Sequence, residues 1–258
     1  MSNIFTKHSK FNNLTLHLDA EQASLYVARQ IAEMILEKQS QGKSIILGLA
    51  TGKTPIRVYQ ELVRLHQVER LSFHNVISFN LDEYYPICRE SIQSYSYFMQ
   101  QHLFSHVDIN PANIHIPHAD CSSDRIQNYC EEYEDKIKSF GGLDMQLLGI
   151  GRNGHIGFNE PGSSFESTTR LVDLHSLTRK DAEANFGTIE KVPYQAISVG
   201  INTIIKAKRI MLLAIGKDKS EIISQALQGE ISTKVPASLL QSLSHVEFVL
   251  DCDASALI

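Results

Sequence analysis

The chain has 258 residues, 43% of them apolar, which is enough to bury one substantial core. Its formal net charge of -5 leaves no basic surplus for nucleic acid or an anionic membrane surface, so the composition predicts a small-molecule partner. Four cysteines without CxxC spacing, no apolar run near the roughly 20 residues of a membrane span, and no apolar N-terminal stretch together predict a cytoplasmic protein.

Short apolar runs alternate with amphipathic stretches along the chain. The first helix is predicted to begin at Asp19, which can cap it, and to bury a stripe that includes Val27 and Ile31. Strands are predicted at residues 44–49, 76–81, 143–148, 209–215 and 246–250. These runs are apolar nearly throughout, as is typical of strands covered on both faces. The pattern therefore predicts an α/β protein with a mainly parallel sheet flanked by helices, in a single domain over residues 1–258.

A small, hydroxyl-bearing loop follows the strand predicted at 44–49 and leads into a helix opened by a proline. Four of its residues are predicted to hold a phosphate: Thr51, Gly52, Lys53 and Thr54. Glycine lets the backbone approach an anion, and the first N–H groups of a helix have no partner within the helix. The alternative is an ordinary turn in which Thr54 caps the helix. A nucleotide-binding P-loop is disfavoured, because its two glycines need four intervening residues and Gly48 and Gly52 have three.

Two carboxylates, Asp82 and Glu83, come directly after the strand predicted at 76–81. Adjacent side chains of extended backbone point in opposite directions, so one carboxylate can face a ligand while the other braces the loop. Burial at a strand end raises the pKa of a carboxylate, which suits removal of a carbon-bound proton. A solvated turn or a helix cap is the alternative interpretation of this pair.

A glycine-rich loop follows the strand predicted at 143–148. Residues 147–162 contain five glycines, a proline and one histidine, His155. Histidine is the side chain whose ordinary pKa lies near neutrality, so it can accept and return a proton. Glu160 can orient the imidazole and stabilise its charged form, and Asn153 can hydrogen-bond it from the other side. The loop is therefore predicted to be catalytic.

Three segments resemble the signature segments of the glucosamine-6-phosphate deaminases: LATGKTP at 49–55, FNLDEYY at 79–85 and GIGRNGHIGFNEPG at 149–162. Their order and spacing match over almost the whole chain. The resemblance implies a Rossmann-like fold and conversion of an amino-sugar 6-phosphate and water to a ketose 6-phosphate and ammonium, with no cofactor and no metal. The 6-phosphogluconolactonases share that fold but lack the GFNEP continuation after the histidine.

The resemblance also implies roles for individual residues. Asp82 is the base that moves a proton between C2 and C1 of the open-chain sugar, and His155, supported by Glu160 and Asn153, opens the ring. The loop at 51–54 binds the phosphate, and Lys219 contacts the same phosphate from a later strand-to-helix turn. The partner is then a small-molecule sugar phosphate. The sequence lacks the longer tail of the hexameric members, so we expect a monomer or small homo-oligomer without an N-acetyl-sugar activator site.

The sequence departs from the family pattern at two places. Many members have aspartate where this chain has Asn153, and the asparagine form resembles a recognised subgroup. The segment 177–186 lacks the arginine that usually reaches towards the phosphate. Either Arg179, one to two helical turns upstream, substitutes for it, or the phosphate is held with one charge fewer. This difference leaves galactosamine 6-phosphate open as an alternative substrate.

Two hypotheses from other functional classes remain: a non-catalytic sensor and a zinc site. A non-catalytic sugar-phosphate sensor would need an attached DNA-binding helix-turn-helix, and only about 40 residues with one capped helix precede the phosphate loop. A zinc site would draw on His115, His118, Asp120 and Cys121. Pro117 prevents helical pairing of these ligands and no second cluster completes the set, so an incidental loop is favoured.

Overall fold

The computed structural model describes residues 13–118, 122 and 124–258. Within them lie ten strands and seven α-helices. The strands are β1 (Leu14–His17), β2 (Ile45–Leu49), β3 (Val76–Asn80), β4 (Asp82–Tyr85), β5 (Ile114–His115), β6 (Met145–Leu148), β7 (Arg170–Asp173), β8 (Gln195–Ser198), β9 (Ile210–Ala214) and β10 (Val246–Asp251). The helices are α1 (Ala20–Ser40), α2 (Ile56–Glu69), α3 (Tyr95–His102), α4 (Ile126–Ser139), α5 (Ser176–Phe186), α6 (Ile201–Ile205) and α7 (Ser220–Gln228).

Seven strands form one parallel sheet in the order β1-β10-β9-β6-β2-β3-β5. All five strands predicted from apolar runs are present, with bounds that differ by at most two residues at either end. The two outer strands, β1 and β5, were not predicted, because four and two residues are too few to carry a clear apolar pattern.

Helices cover both faces of the sheet. Along β2, Ile45 and Leu47 pack on one side with α1, α2 and α3, whereas Ile46 packs on the other side with α4, α6 and α7. This alternation is the reason that the strands read as continuously apolar, since both faces need apolar side chains. Helix α1 starts as predicted: the Asp19 carboxylate accepts the Gln22 backbone N–H at 2.8 Å, and both Val27 and Ile31 are fully buried.

A small antiparallel sheet, in the order β4-β8-β7, adjoins the carboxyl edge of the large one. Asp82, the first residue of β4, pairs with Ser198 on β8, and Ser198 pairs with Arg170 on β7. Residues directly opposite each other in such a ladder share a face of the sheet. This sheet was not predicted, and it places Asp82 within a strand.

The predicted fold class, an α/β Rossmann-like fold with a mainly parallel sheet flanked by helices, is confirmed. Its organisation as a single domain over residues 1–258 stays a prediction. In the described part of the chain, no helix combines the length and the apolar character that crossing a membrane requires.

Candidate active site

The segments predicted to be functional follow neighbouring strands. In the sheet, β9, β6, β2 and β3 lie side by side. Lys219 follows β9, the glycine-rich loop follows β6, the predicted phosphate loop follows β2 and Asp82 follows β3. Because these strands are parallel, their carboxyl ends meet at one edge, where α/β proteins usually bind ligands. The fold therefore brings the four segments to the same edge.

The two carboxylates of β4 have different surroundings. Glu83 accepts the backbone N–H groups of Tyr84, Tyr95 and Ser96, each at 2.9 Å, so it braces the start of α3. Asp82 is 6% exposed, and within the described residues its carboxylate makes no hydrogen bond or ion pair. Both oxygens of Asp82 are thus available to a ligand.

Burial of this pair shifts both acids towards neutrality. Burial raises the pKa of Asp82 to about 8, and the charge of the adjacent Glu83 adds to the increase. Burial also raises the pKa of Glu83 to about 7, although the three backbone N–H groups and Arg89 act in the opposite direction. A carboxylate that titrates near neutral pH is a stronger base than an ordinary aspartate, and a substantial fraction of it is still ionised at that pH.

Strand β8 holds the glycine-rich loop against Asp82. The Val199 backbone N–H donates to the Leu81 carbonyl at 2.7 Å, directly before Asp82. The Phe158 backbone N–H donates to the Ser198 hydroxyl at 3.0 Å, and the Asn159 amide donates to the Val199 carbonyl at 2.9 Å. Both segments are therefore fixed to the end of one strand.

Gly157 lets the loop approach Asp82 closely. Its φ is +56°, and a Cβ at this position would lie 3.2 Å from the Ser198 hydroxyl and 3.5 Å from Asp82 Oδ2. A side chain here would strain the backbone and crowd the carboxylate. Gly157 therefore keeps space open beside Asp82, two residues from His155.

His155 is held by an amide and a carboxylate in series. Asn153 Oδ1 lies 2.8 Å from His155 Nδ1, and Asn153 Nδ2 donates to Glu160 Oε2 at 2.8 Å. An ionised carboxylate only accepts hydrogen bonds, so it fixes the Asn153 NH₂ towards itself and the amide oxygen towards His155. The proton of the neutral imidazole then lies on Nδ1, which leaves the Nε2 lone pair free.

Glu160 remains ionised in this arrangement. Burial by itself would raise its pKa, but the neighbouring His155, Thr178 and Asn153 side chains outweigh that effect and lower the pKa to about 2. Its Oε2 lies 3.4 Å from His155 Nδ1. A negative charge at this distance stabilises the imidazolium form when His155 takes up a proton. Asn153 is thus the direct partner of the imidazole, with Glu160 behind it.

Gly151 makes room for the histidine ring. A Cβ on Gly151 would lie 2.2 Å from an imidazole carbon of His155, which no side chain can satisfy. The Gly151 backbone N–H also donates to the His155 carbonyl at 2.9 Å, which closes the turn. The glycine-rich character of this loop therefore follows from the close packing of backbone around the imidazole.

The predicted phosphate loop links β2 to α2. Gly52 adopts a φ of +95°, which L side chains rarely do. Helix α2 begins directly after Pro55, and in the described residues the Thr54 side chain makes no hydrogen bond that would cap it. The Thr51 side chain lies beside the Tyr95 hydroxyl, which donates to the Tyr84 hydroxyl at 3.3 Å. Lys53 is exposed on this loop.

Lys219 and Arg179 are engaged at different places. The Lys219 ammonium donates to the carbonyl of Ile150, at the start of the glycine-rich loop, at 2.7 Å, and burial lowers its pKa. The Arg179 guanidinium stacks 3.6 Å from the ring centre of Tyr194 and donates to the carbonyls of Ile189 and Val192. These contacts hold Arg179 against residues 189–194, so the structure does not support it as the substitute phosphate ligand.

Helix α5 closes one side of the site. Its Thr178 hydroxyl lies 3.4 Å from His155 Nδ1, and its Asp181 forms an ion pair with Arg152 of the glycine-rich loop. Thr178 was not predicted as a site residue, nor were Tyr95, Ser198 and Arg170. Arg170 Nη1 donates to Asn159 Oδ1 of the glycine-rich loop at 2.9 Å. All four residues reach the site through contacts between distant parts of the chain. Among their segments, only the apolar run before Gly200 could have indicated a strand.

The described residues, 13–118, 122 and 124–258, contain no cluster of three or more His, Cys, Asp or Glu side chains able to hold a metal ion. His115 and His118 of the zinc alternative lie within them. Asp120 and Cys121, the other two members, lie outside the described residues.

Known proteins are similar to this chain in sequence and in fold. A glucosamine-6-phosphate deaminase from Halothermothrix orenii is 46% identical over 239 residues, which cover 93% of this chain and 95% of that protein. A solved structure of a monomeric glucosamine-6-phosphate deaminase has 42% identity and a TM-score of 0.91, covering 95% of this chain and 100% of the other.

A third relative is longer than this chain. A glucosamine-6-phosphate deaminase-like protein from Bacteroides thetaiotaomicron is 44% identical over 240 residues, which are 93% of this chain and 36% of that protein. The chain thus spans about a third of that relative's length. The model of the family described as glucosamine-6-phosphate isomerases/6-phosphogluconolactonase matches residues 18–249. The chain belongs to this family.

Proposed function

We propose that the chain converts glucosamine 6-phosphate and water to fructose 6-phosphate and ammonium. The observation that carries the proposal is Asp82, a buried carboxylate with a pKa of about 8, held by β8 beside the loop that presents a free nitrogen of His155. Moving a proton between C2 and C1 of a sugar needs such a base, and opening the sugar ring needs a separate proton carrier. Relatives named as deaminases favour an amino sugar over a lactone as the substrate.

Ring opening comes first, because a closed pyranose has no carbonyl at C1 and its C2 proton is not acidic. His155 Nε2 removes the proton of the C1 hydroxyl, the C1–ring oxygen bond breaks, and the ring oxygen takes the proton. The imidazolium that exists between these transfers is stabilised by the Glu160 charge behind Asn153. The product is the open-chain aldehyde.

Asp82 then acts on the open chain. It removes the C2 proton, the electrons of the C2–H bond form a C1=C2 double bond, and the C1 oxygen is protonated. Return of the proton from Asp82 to C1, with the nitrogen lone pair forming C2=N, gives an imine of the ketose. Water adds at C2, and loss of ammonium leaves the ketone. One carboxylate that reaches both carbons is enough for the two transfers.

The phosphate is assigned to the loop at 51–54 and to Lys219. We expect Lys219→Ala to raise the KM for glucosamine 6-phosphate roughly 10- to 100-fold, since it removes a charge-assisted contact of about 1.5–3 kcal/mol. Lys217→Ala is the matched control, because Lys217 is exposed on the same turn and its loss should leave KM unchanged. Thermal unfolding of both variants tests whether the lost Lys219–Ile150 bond also loosens the loop. An unaltered KM in Lys219→Ala would remove this residue from the phosphate site.

The pH dependence of kcat/KM tests the state of Asp82. A base works only when ionised, so kcat/KM should rise with pH up to about 8, far above the titration of an ordinary aspartate. Glu83→Gln removes the adjacent charge that helps to raise this pKa, so the rise should move to lower pH. The substrate phosphate also titrates in this range, but it does so equally for both proteins and cancels in the comparison. If the wild-type profile shows no rise between pH 5 and 8, Asp82 is not the controlling base; if only the two profiles coincide, the Glu83 charge does not raise the pKa of that base.

The proposed reaction is tested directly by its products. Ammonium and fructose 6-phosphate should appear in equal amounts from glucosamine 6-phosphate, and Asp82→Asn should produce neither. Parallel assays with galactosamine 6-phosphate and the N-acetylated sugars identify the epimer and acylation state that the site accepts. Failure to release ammonium from any of these sugars would contradict the proposal.

A location in the cytoplasm and a monomeric or small homo-oligomeric state remain predictions. Gel filtration measures the oligomeric state.

A further inference from the structure

Two tyrosine hydroxyls, those of Tyr84 and Tyr95, meet beside the proposed base. Tyr84 and Asp82 are two residues apart on strand β4, so their side chains point to the same face of the small sheet. The ring of Tyr84 lies 5.4 Å from that of Phe158 in the glycine-rich loop, measured between ring centres. Tyr84 therefore shares the face of Asp82 and contacts the loop that carries His155.

Tyr95 reaches the same place from helix α3. Glu83 accepts its backbone N–H at 2.9 Å, and its ring stacks on Phe158 at 5.9 Å with an angle of 14° between the two planes. The Tyr95 hydroxyl donates to the Tyr84 hydroxyl at 3.3 Å and lies beside the Thr51 side chain. Tyr95 thus connects the predicted phosphate loop with β4.

One proton of this hydroxyl pair has no acceptor. A tyrosine hydroxyl both donates and accepts a hydrogen bond. The Tyr84 oxygen accepts from Tyr95, but within the described residues the Tyr84 hydroxyl donates to no group. Tyr84 is only 4% exposed, and a buried polar group without a partner is unfavourable. An oxygen atom of a ligand bound next to Asp82 would supply the missing acceptor.

Both hydroxyls keep their protons at neutral pH. Burial raises the pKa of Tyr84 to about 12; the Tyr95 hydroxyl acts in the opposite direction, and the charges of Asp82 and Glu83 add to the increase. Burial also holds the pKa of Tyr95 well above its usual value. The Tyr84 hydroxyl is therefore a neutral hydrogen-bond donor and takes no part in moving protons.

The proposed function, on which this step rests, indicates which part of the sugar lies beside the pair. His155 acts at C1, Asp82 acts at C2, and the loop at 51–54 holds the phosphate on C6. The tyrosine pair extends from Asp82 to Thr51, and so from the C2 position towards the phosphate. C3 and C4 lie on this side of C2, and each carries a hydroxyl group.

We propose that the Tyr84 hydroxyl, oriented by Tyr95, donates a hydrogen bond to the C3 or C4 hydroxyl of the sugar and so selects its configuration. Inverting that carbon moves the oxygen away and leaves the buried phenol proton unpaired again, which a site built around the hydrogen bond disfavours strongly. A contact at C4 would separate glucosamine 6-phosphate from galactosamine 6-phosphate. The pair is then a specificity determinant next to the residues that move protons.

Three phenylalanine substitutions separate this role from packing. Tyr84→Phe keeps the ring against Phe158 and removes only the hydroxyl. Tyr95→Phe is the second variant: it removes the group that orients Tyr84, and its effect should depend on the same sugar hydroxyl. Tyr97→Phe is the matched control, because Tyr97 lies on the same helix as Tyr95 and its hydroxyl makes no hydrogen bond in the described part of the chain.

The test measures binding of glucitol 6-phosphate, an open-chain alcohol that has no carbonyl and no amino group and so cannot react. Calorimetry gives its Kd and those of its 3-deoxy and 4-deoxy analogues. In Tyr84→Phe the Kd for glucitol 6-phosphate should rise about 5- to 100-fold, because a sugar hydroxyl loses its donor in a closed site, whereas Tyr97→Phe should bind like the wild type. For the analogue that lacks the contacted hydroxyl, wild type and Tyr84→Phe should bind equally.

The analogue on which the difference disappears assigns the contact to C3 or to C4, and either result supports the proposal. A merely structural role would weaken binding of all three compounds alike. The proposal is overturned if Tyr84→Phe binds glucitol 6-phosphate like the wild type, if the difference persists with both analogues, or if the wild type binds none of it up to about 10 mM. Ammonium release from glucosamine 6-phosphate is measured separately, so binding in the expected pattern without deamination would keep the tyrosine contact and contradict the proposed reaction.

Discussion

Replacing Asp82 by asparagine is expected to lower turnover of glucosamine 6-phosphate by about 10⁴-fold, the upper end of what a positioned base contributes. Asparagine has the same shape but cannot take the C2 proton, so substrate binding should stay within about tenfold of the wild type. In deuterated water, exchange at C2 of recovered substrate should disappear as well. Glu83→Gln is the control, because it keeps Asp82 and should retain exchange.

The same variant has a second, independent signature in stability. Folded Asp82 keeps its proton up to a pH of about 8, whereas the unfolded chain releases it near 4, so wild-type stability falls as pH rises between these values. Asparagine has no proton to lose. Asp82→Asn should therefore gain stability over the wild type from pH 5 to 8, on the order of a few kcal/mol at the upper end. Urea unfolding at several pH values measures the gap. A gap that does not change with pH, or normal C2 exchange in the variant, would show that Asp82 is not the desolvated base.

Much of the large sheet could be predicted from sequence because its strands carry local signals. Apolar residues fill most positions of β2, β3, β9 and β10, because helices cover both faces of the sheet. Asp19 marks the start of α1 by itself. Once the strands are parallel, the residues after β2, β3 and β6 must meet at one edge. The clustering of the phosphate loop, Asp82 and His155 follows from these local patterns alone.

The small sheet could not be predicted in the same way. β4 reads DEYY, which looks like a polar loop, and it becomes a strand only because it pairs with β8, more than a hundred residues later. That pairing then buries Asp82 and shifts its pKa. The position of Tyr95 against Thr51 and the stacking of Arg179 on Tyr194 likewise depend on tertiary contacts. An arginine near the expected place in sequence was therefore a poor guide to a phosphate ligand.

The glycine-rich loop around His155 could be predicted only in part. Glu160 and Asn153 were both predicted as partners of His155, but which of them contacts the imidazole depends on how the turn at Gly154 folds. The structure places Asn153 Oδ1 at 2.8 Å from Nδ1 and the nearer Glu160 oxygen at 3.4 Å. The Asn153 amide fixes the tautomer of the imidazole because its oxygen faces Nδ1. The oxygen faces that way because Glu160 accepts a hydrogen bond from the NH₂ group of the same amide.

In this tautomer Nε2 of His155 is free to accept a proton, so replacing the histidine should have the second large effect on turnover. His155→Gln should lower kcat on glucosamine 6-phosphate by about 10²–10⁴-fold, the usual contribution of a positioned proton carrier. Glutamine can still hydrogen-bond to Asn153, so the loop should keep its fold, and KM should change far less than kcat. Steady-state kinetics with thermal unfolding as a check on the fold measures both.

The reverse direction separates ring opening from the proton shift. Fructose 6-phosphate reaches its open-chain form without the enzyme, and in that form its C1 protons are acidic because C2 is a carbonyl. Asp82 should therefore still exchange a C1 proton with deuterated solvent in His155→Gln, at a larger fraction of the wild-type rate than forward deamination retains. Asp82→Asn is the control that loses both activities. If exchange from fructose 6-phosphate falls as far as deamination in His155→Gln, the histidine acts in the proton shift itself. The division in which His155 opens the ring and Asp82 moves the proton would then be wrong.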